Sequence, residues 1–316
     1  MNFIIENDVL VKYYGNEPVV SVPSNVKVIG KRAFACSAPK EVILNEGLER
    51  IEKYAFSRAR NLKKVSFANV KYIENHAFMM CDLEEIIIGE GTETIGAEAF
   101  SYNKKLKKVV LPKSLKSIDS MAFLGCALES LEISPENSNY VTENDVLFSK
   151  DKKKIIVYSM SKSEKIYEIP FGVEEISSYG FSECRNLEKI VFPKSLVKIG
   201  DFAFRNCDKL NNIVLPESVK HIGDCGFRFC NSLTNISFEG VKLDYFGSWL
   251  FDGCRSLERI KLPEIEVLDG AFCNCYNLKE VVFPKTLKEI SWLTFNNCKD
   301  FTVSDLPKGC VLKERP

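Results

Sequence analysis

Two periods run through the hydrophobic positions of the chain, one short and one long. The short period is alternation, clearest in Leu187-x-x-Ile190-x-Phe192-Pro193 and Leu106-x-x-Val109-x-Leu111-Pro112. A period of two, rich in β-branched residues, predicts a strand whose anchors all face one side. The long period is set by phenylalanine. Phe34, Phe56, Phe78, Phe100, Phe123, Phe181, Phe204, Phe227, Phe251, Phe272 and Phe295 are separated by 21 to 24 residues, with one gap of 58. A fixed spacing in this range marks a repeat architecture of eleven units.

The neighbours of each Phe keep register. Ile stands five residues earlier in nine units, Phe246 takes that place once, and Leu268 sits four residues before Phe272. The residue just before the Phe is Ala or Gly in nine units of eleven, so little room exists there. Pro112, Pro193, Pro216, Pro263 and Pro284 close five of the alternating runs, where a missing N–H ends a ladder without stranding a donor. Each unit therefore reads as strand, turn, short second extended piece and tight turn. One unit hides about six large side chains worth roughly 1.5–3 kcal/mol each, against about 1.5 kcal/mol of ordering entropy for every residue. It cannot fold alone. Stacking rows of Leu, Ile and Phe on the rows of the next unit removes the difficulty, so the predicted fold class is an α/β repeat solenoid, predominantly β, of about eleven units of 21–24 residues with a parallel sheet.

The segment from Leu187 through Ile190, Phe192-Pro193, Leu196, Ile199-Gly200 and Ala203-Phe204 to Cys207 resembles the BspA-type leucine-rich repeat, and the resemblance covers nearly the whole chain. It implies a curved superhelix, a place among bacterial surface and secreted proteins, and a role in adhesion and protein binding. No catalytic residues come with it.

The long gap is bounded by a duplication: Glu143-Asn144-Asp145-Val146-Leu147 repeats Glu6-Asn7-Asp8-Val9-Leu10. Each copy leads through a polar turn to a second extended run, Val19–Pro23 in the first and Ile166–Pro170 in the second. Both read as β-hairpins. The predicted organisation is a capping hairpin at 1–24, repeats at 25–133, an inserted hairpin module at 134–170, and repeats with a truncated last unit at 171–316, forming one continuous solenoid. A flexible linker between two domains is the alternative that the polar Ser134–Asn139 stretch would suit. Leu306-Pro307-Lys308-Gly309-Cys310 lacks the Thr of a wall-sorting signal and reads as part of the truncated last unit.

Composition narrows function by exclusion. The 316 residues carry 43 basic and 43 acidic side chains, so no bulk field draws polyanions and a nucleic-acid partner is not expected. No apolar run approaches the roughly 18 residues of a membrane helix. The opening residues lack a basic region followed by an apolar core, so the chain as given reads as cytoplasmic, and as cell-surface or secreted if an upstream signal has been removed. A monomer is expected.

Candidate chemistry is sparse. Eight of twelve cysteines fall three residues after the repeat Phe: Cys81, Cys126, Cys184, Cys207, Cys230, Cys254, Cys275 and Cys298. Position follows the repeat, which predicts an internal ladder of reduced thiols and no metal. The closest pairs, Cys225 with Cys230 and Cys273 with Cys275, lack C-x-x-C spacing. His76 and His221 are expected at the surface. Gly89 to Gly96 has no terminal Lys-Ser/Thr and reads as an ordinary turn. An enzyme would need a site that breaks the repeat, and only the 134–170 insertion, with Tyr140, Tyr158 and Tyr167, offers one. No cofactor is implied.

A partner is thus sought on the outward strand positions. The middle outward row contains Ile43, Ile87, Val110, Val191, Val214 and Val282, interrupted by Ser66, Glu132, Ser237, Lys261 and Thr302. These six aliphatic residues are the predicted partner-binding positions, on a single sheet about 50 Å long. The expected function is a noncatalytic scaffold for protein–protein interaction, with an exported adhesin for host or matrix glycoproteins as the alternative.

Overall fold

A computed structural model describes residues 2–299, 306–307 and 309–313. None of these residues is α-helical, so the solenoid is built from strands and turns alone. The chain divides into two compact units, Met1–Asp151 with Ile156–Ser161, and Lys152–Ile155 with Lys162–Pro316.

Each coil contributes to two kinds of parallel sheet. The first strands, three or four residues long, alternate between buried anchors and outward residues: in Glu41–Ile43 only Val42 is buried, and in Asn212–Val214 only Ile213. The second strands are two residues long and bury the repeat Ile. In unit 1 they stack in unbroken order from Val28–Ile29 to Ser117–Ile118. Between the second strand and the next first strand lies the Phe turn. Phe34, Phe56, Phe78, Phe100, Phe181, Phe204, Phe227, Phe251 and Phe272 are all fully buried. Their rings lie face to face, 4.7 Å apart for Phe34/Phe56 and Phe56/Phe78 and 5.1 Å for Phe181/Phe204. The small residue before the Phe is explained by this column: Ala33, Ala55 and Ala77 are fully buried.

The Phe turn holds a feature that the pattern of anchors does not disclose. In most Phe turns the residues two before and two after the Phe have positive φ, for example Tyr54 (62°) and Arg58 (62°), His76 (58°) and Met80 (58°), Phe202 (54°) and Asn206 (59°), though Met121 and Leu293 do not. This geometry points alternate N–H groups at the next coil. Tyr54, Phe56 and Arg58 donate to Asn75, Ala77 and Met79, while Ala55 and Ser57 close bonds within their own turn. Every turn is thereby laddered to its neighbour without a helix. None of the non-glycine residues at these positions is β-branched, as steric crowding at positive φ requires.

A β-hairpin occurs at each copy of the pentapeptide, but neither is the predicted pairing with Val19–Pro23 or Ile166–Pro170. The antiparallel pair Phe3–Glu6 and Val9–Tyr13 turns at Asn7 (φ 48°) and Asp8 (φ 65°), and Tyr140–Glu143 with Val146–Ser149 turns at Asn144 (48°) and Asp145 (58°). Two successive positive φ values make the tight turn that matches strand twist, which explains the repeated Asn-Asp. The segments expected as the partner strands belong to the arrays instead. Val19–Ser21 runs parallel to Glu41–Ile43, and Ile166–Glu168 runs parallel to Lys189–Val191. The polar Ser134–Asn139 stretch is no linker, since buried Asn137 donates to the carbonyls of Pro112, Lys113 and Leu115. Val311–Lys313 pairs with Glu289–Ser291, placing Leu312 opposite Ile290 as a further coil would.

The candidate interaction surface

Strand register puts the predicted positions in corresponding places but not on one sheet. The first strands form four separate ladders: three strands from Val19–Ser21 to Lys64–Ser66, three from Glu85–Ile87 to Ser130–Ile133, four from Ile166–Glu168 to Asn235–Ser237, and two from Arg259–Lys261 to Glu280–Val282. The single 50 Å sheet expected from the strand count is therefore corrected to shorter plates.

Within the plates, Ile87 lies opposite Val110, which lies opposite Glu132. Ile43 stands between Ser21 and Ser66. Val191 follows Glu168, Val214 is opposite Ser237, and Val282 is opposite Lys261. The structure brings Ile87 and Val110 together, and it puts Val191 and Val214 on neighbouring strands, while Ile43 stands between two serines and Val282 faces Lys261. Val214 is 62% exposed and Ile87 58%, whereas Val110 is half-buried. Thr302 lies outside the described residues.

The row beside the aliphatic one is charged and locally neutral in three plates, while in the four-stranded plate it carries Lys189 beside Asn212 and Asn235. Lys64 pairs with Glu41 at 2.9 Å, Lys108 with Glu85 at 3.5 Å and Arg259 with Glu280 at 3.5 Å. Such exposed pairs add little stability, about 0–1 kcal/mol each, but they leave no sign to attract a charged partner. Two exposed aliphatics were missed: Val19 (50%) and Ile166 (56%) begin the first strand of each array. The correspondence of Val19–Pro23 with Ile166–Pro170 was the available signal, obscured by reading both as hairpin strands. Phe171, 87% exposed beside Gly172, was also missed, having no counterpart in other units.

The groups that could do chemistry are engaged in holding coils together. The thiols of Cys81, Cys126, Cys207, Cys230, Cys254, Cys275 and Cys298 each donate to the Phe carbonyl one coil earlier, at 3.1–3.2 Å. All are free, and burial pushes the Cys126 and Cys298 thiols up to about 12. Asn103 holds the same place and donates to Phe78 and Phe100 at 2.8 and 2.7 Å. The histidines are less exposed than expected. His76 stacks on Tyr54 and His221 on Tyr245, each at 4.7 Å, and burial with nearby Lys198 lowers the pKa of His221. The bond from the Tyr245 hydroxyl to Asp224 at 2.7 Å pushes that phenol up to about 12. Asp252, almost fully buried, accepts from Arg228 at 2.7 Å and Asn274 at 2.8 Å. Of the three tyrosines in the insertion, Tyr140 bonds the backbone of a neighbouring coil, Tyr158 is buried, and Tyr167 packs 5.7 Å from Phe181. No group of three or more His, Cys, Asp or Glu side chains suited to a metal occurs among the described residues.

A family model described as the BspA type leucine-rich repeat region matches six times, over residues 16–84, 71–172 and 174–302. Among solved structures, the chain is similar to a leucine-rich repeat protein from Eubacterium ventriosum, at 30% identity and a TM-score of 0.85, over 93% of this chain and 80% of that one. It is similar in fold to the pneumococcal vaccine antigen PcpA, at 23% identity and a TM-score of 0.66 over 98% and 89% of the two chains. A leucine-rich cell surface protein from Faecalibacterium prausnitzii shares 23% identity at a TM-score of 0.60 over 95% and 91%. The search of curated proteins gave no match.

Proposed function

Because the chain belongs to the BspA-type leucine-rich repeat family, we propose that it is a noncatalytic scaffold whose first-strand plates bind another protein. The supporting observation is the exposure of β-branched side chains, Ile87 with Val110 beside the Lys108–Glu85 ion pair and Val191 with Val214 beside Lys189, Asn212 and Asn235. A flat apolar centre within a polar rim is the usual make-up of a protein interface. Strand backbone holds these side chains in fixed directions, so little ordering entropy opposes binding.

The test begins with affinity capture from the native source and identification of the captured protein by mass spectrometry. Binding of that protein is then measured to wild type, to Ile87→Asp with Val110→Asp, and to Val191→Asp with Val214→Asp. At least one pair should weaken binding tenfold or more, about 1.4 kcal/mol, with an unaltered circular dichroism spectrum. Equal affinity for all three proteins would overturn the proposal.

A further inference from the structure

In most coils the residue closing the first strand donates its N–H to the carbonyl of the outward residue in the next coil. Val22 bonds Ile43, Leu44 bonds Ser66, Ile88 bonds Val110, Ile169 bonds Val191, Leu215 bonds Ser237 and Leu262 bonds Val282, at 2.9–3.2 Å. Among the described residues, Phe67, Phe192 and Phe238 hold the same place and do not make this bond. Their rings turn edge-on to the Phe column, Phe67 at 5.7 Å from Phe78, Phe192 at 5.8 Å from Phe204 and Phe238 at 6.4 Å from Phe251. At Phe67 and Phe192 coil length is not the cause: Phe67 to Ile88 spans 21 residues, as does Leu262 to Phe283, and Phe192 to Leu215 spans 23, as do Leu44 to Phe67 and Leu215 to Phe238, while Leu262, Leu44 and Leu215 keep the bond. The Phe238 to Leu262 step is longer, at 24 residues. An aromatic ring stands in place of Leu or Ile at all three steps.

At Phe67 and Phe192 the opening stays local. Glu84 still donates to Lys63 at 3.3 Å and Asn211 to Glu188 at 3.2 Å, and the second strands pair across both steps, Tyr72 opposite Thr94 and Ile199 opposite Ile222. At Phe238 both sheets stop. Asn235–Ser237 does not pair with Arg259–Lys261, nor Tyr245–Phe246 with Val267–Leu268. This step also carries the irregular Phe246 in the Ile position, packed 6.1 Å from Phe238. A cleft opens between the coils, lined by Ser237, Phe238, Val241, Arg259 and Leu262. The bonds crossing the step lie in the Phe turn: Trp249 to Asp269 at 2.8 Å, Phe251 to Ala271 at 2.9 Å, Gly253 to Cys273 at 2.8 Å and Cys275 to Phe251 at 3.1 Å.

We propose that the Phe238/Phe246 step is a built-in joint of unit 2, across which the coils from Arg259 onward open together, as one piece, more often than the coils before it. In a repeat array the interface between neighbours sets how far an opening spreads, so the weakest interface bounds the cooperative piece.

The cysteine ladder reports on this directly, because a buried thiol is alkylated only while its coil is open. The full chain is exposed to excess N-ethylmaleimide under native conditions at neutral pH, and modification of each cysteine is followed by mass spectrometry. Cys275 and Cys298 should react at one common rate, about tenfold or more faster than Cys207 and Cys230. Phe238→Leu, which installs the residue found at Leu215 and Leu262, should slow Cys275 and Cys298 and leave Cys207 unchanged. A single rate for all four thiols in wild type would overturn the proposal. So would a gradient in which Cys298 outpaces Cys275, which is the signature of fraying from one end. Hydrogen exchange of wild type gives the same comparison should the variant fold poorly: a step in protection between residues 254 and 259 is required.

Discussion

Three residues after most repeat Phe residues, one side chain gives a Phe carbonyl a second donor: the Phe204 carbonyl accepts both the Cys207 N–H and the Cys230 thiol, each at 3.2 Å. Cys serves because it is small, tolerates full burial and carries a weak donor. Cys230→Ala leaves the Phe204 carbonyl without that partner and should lower stability by about 1–2 kcal/mol, read as a shift in the urea midpoint. Ala59 shows that the smaller side chain itself fits this position. Burial also fixes a pH dependence. The Cys126 and Cys298 thiols are pushed up to about 12 in the folded chain, above the roughly 8.5 of an exposed thiol. A raised folded pKa means that the unfolded chain sheds its thiol protons first. The thiols' contribution is therefore complete below about pH 8.5 and falls as pH climbs through 12. Urea midpoints between pH 7 and 11 should hold steady and then decline. The placement of these thiols was legible in the sequence because Cys recurs in phase with Phe. Their acceptor was not, since a backbone carbonyl leaves no mark on residue identity.

The turns show where such reading stops. Anchors such as Ile51 and Phe56 announce themselves by recurrence, but the positive-φ positions are filled by Arg32, Tyr54, His76 and Glu98 in successive coils. The only shared property is the absence of a branched β-carbon, which is a negative signal. Tyr54→Val or Phe202→Ile should each cost about 1–3 kcal/mol, beyond the loss of ring stacking, from backbone strain alone. Thermal unfolding beside a Leu control at the same position would measure it, since Leu removes the ring without branching at Cβ. Glycine meets a different demand at Gly89, where an added Cβ would come 2.1 Å from the Ala68 carbonyl oxygen. The missing cross-coil bonds at Phe67, Phe192 and Phe238 were likewise hidden, because in sequence these residues pass as ordinary members of an apolar row of Leu and Ile.

At the scale of the molecule, the predominantly β solenoid with parallel sheets followed from periodicity alone, while the number of coils and the pairing of the hairpins did not. Hairpin and array strands share one alternating pattern, and only pairing direction separates them. The first hairpin matters for the array behind it. Tyr13 stacks on Phe34 at 4.9 Å and its N–H donates to Ala33, so it acts as the first rung of the aromatic column. Tyr13→Ala should cost about 3–5 kcal/mol, and calorimetry should show a unit 1 transition moving to lower temperature with that of unit 2 in place. The candidate surface was legible only as a row of residue types. Which members meet depends on where the ladders break, and that is set by core residues on the opposite face.

The far end of the unit 1 second-strand stack closes differently. The Tyr140 hydroxyl accepts from the Ile118 N–H at 3.3 Å and donates to the Lys116 carbonyl at 3.4 Å, standing where a further backbone would. Genes for tandem arrays grow and shrink by unequal crossover. Copies gained or lost among the coils from Ile29 to Ile95 would leave this phenolic stopper seated, whereas a copy spliced in directly behind Ile118 would evict it. Length variation among descendants of this gene should therefore be found upstream of that seal.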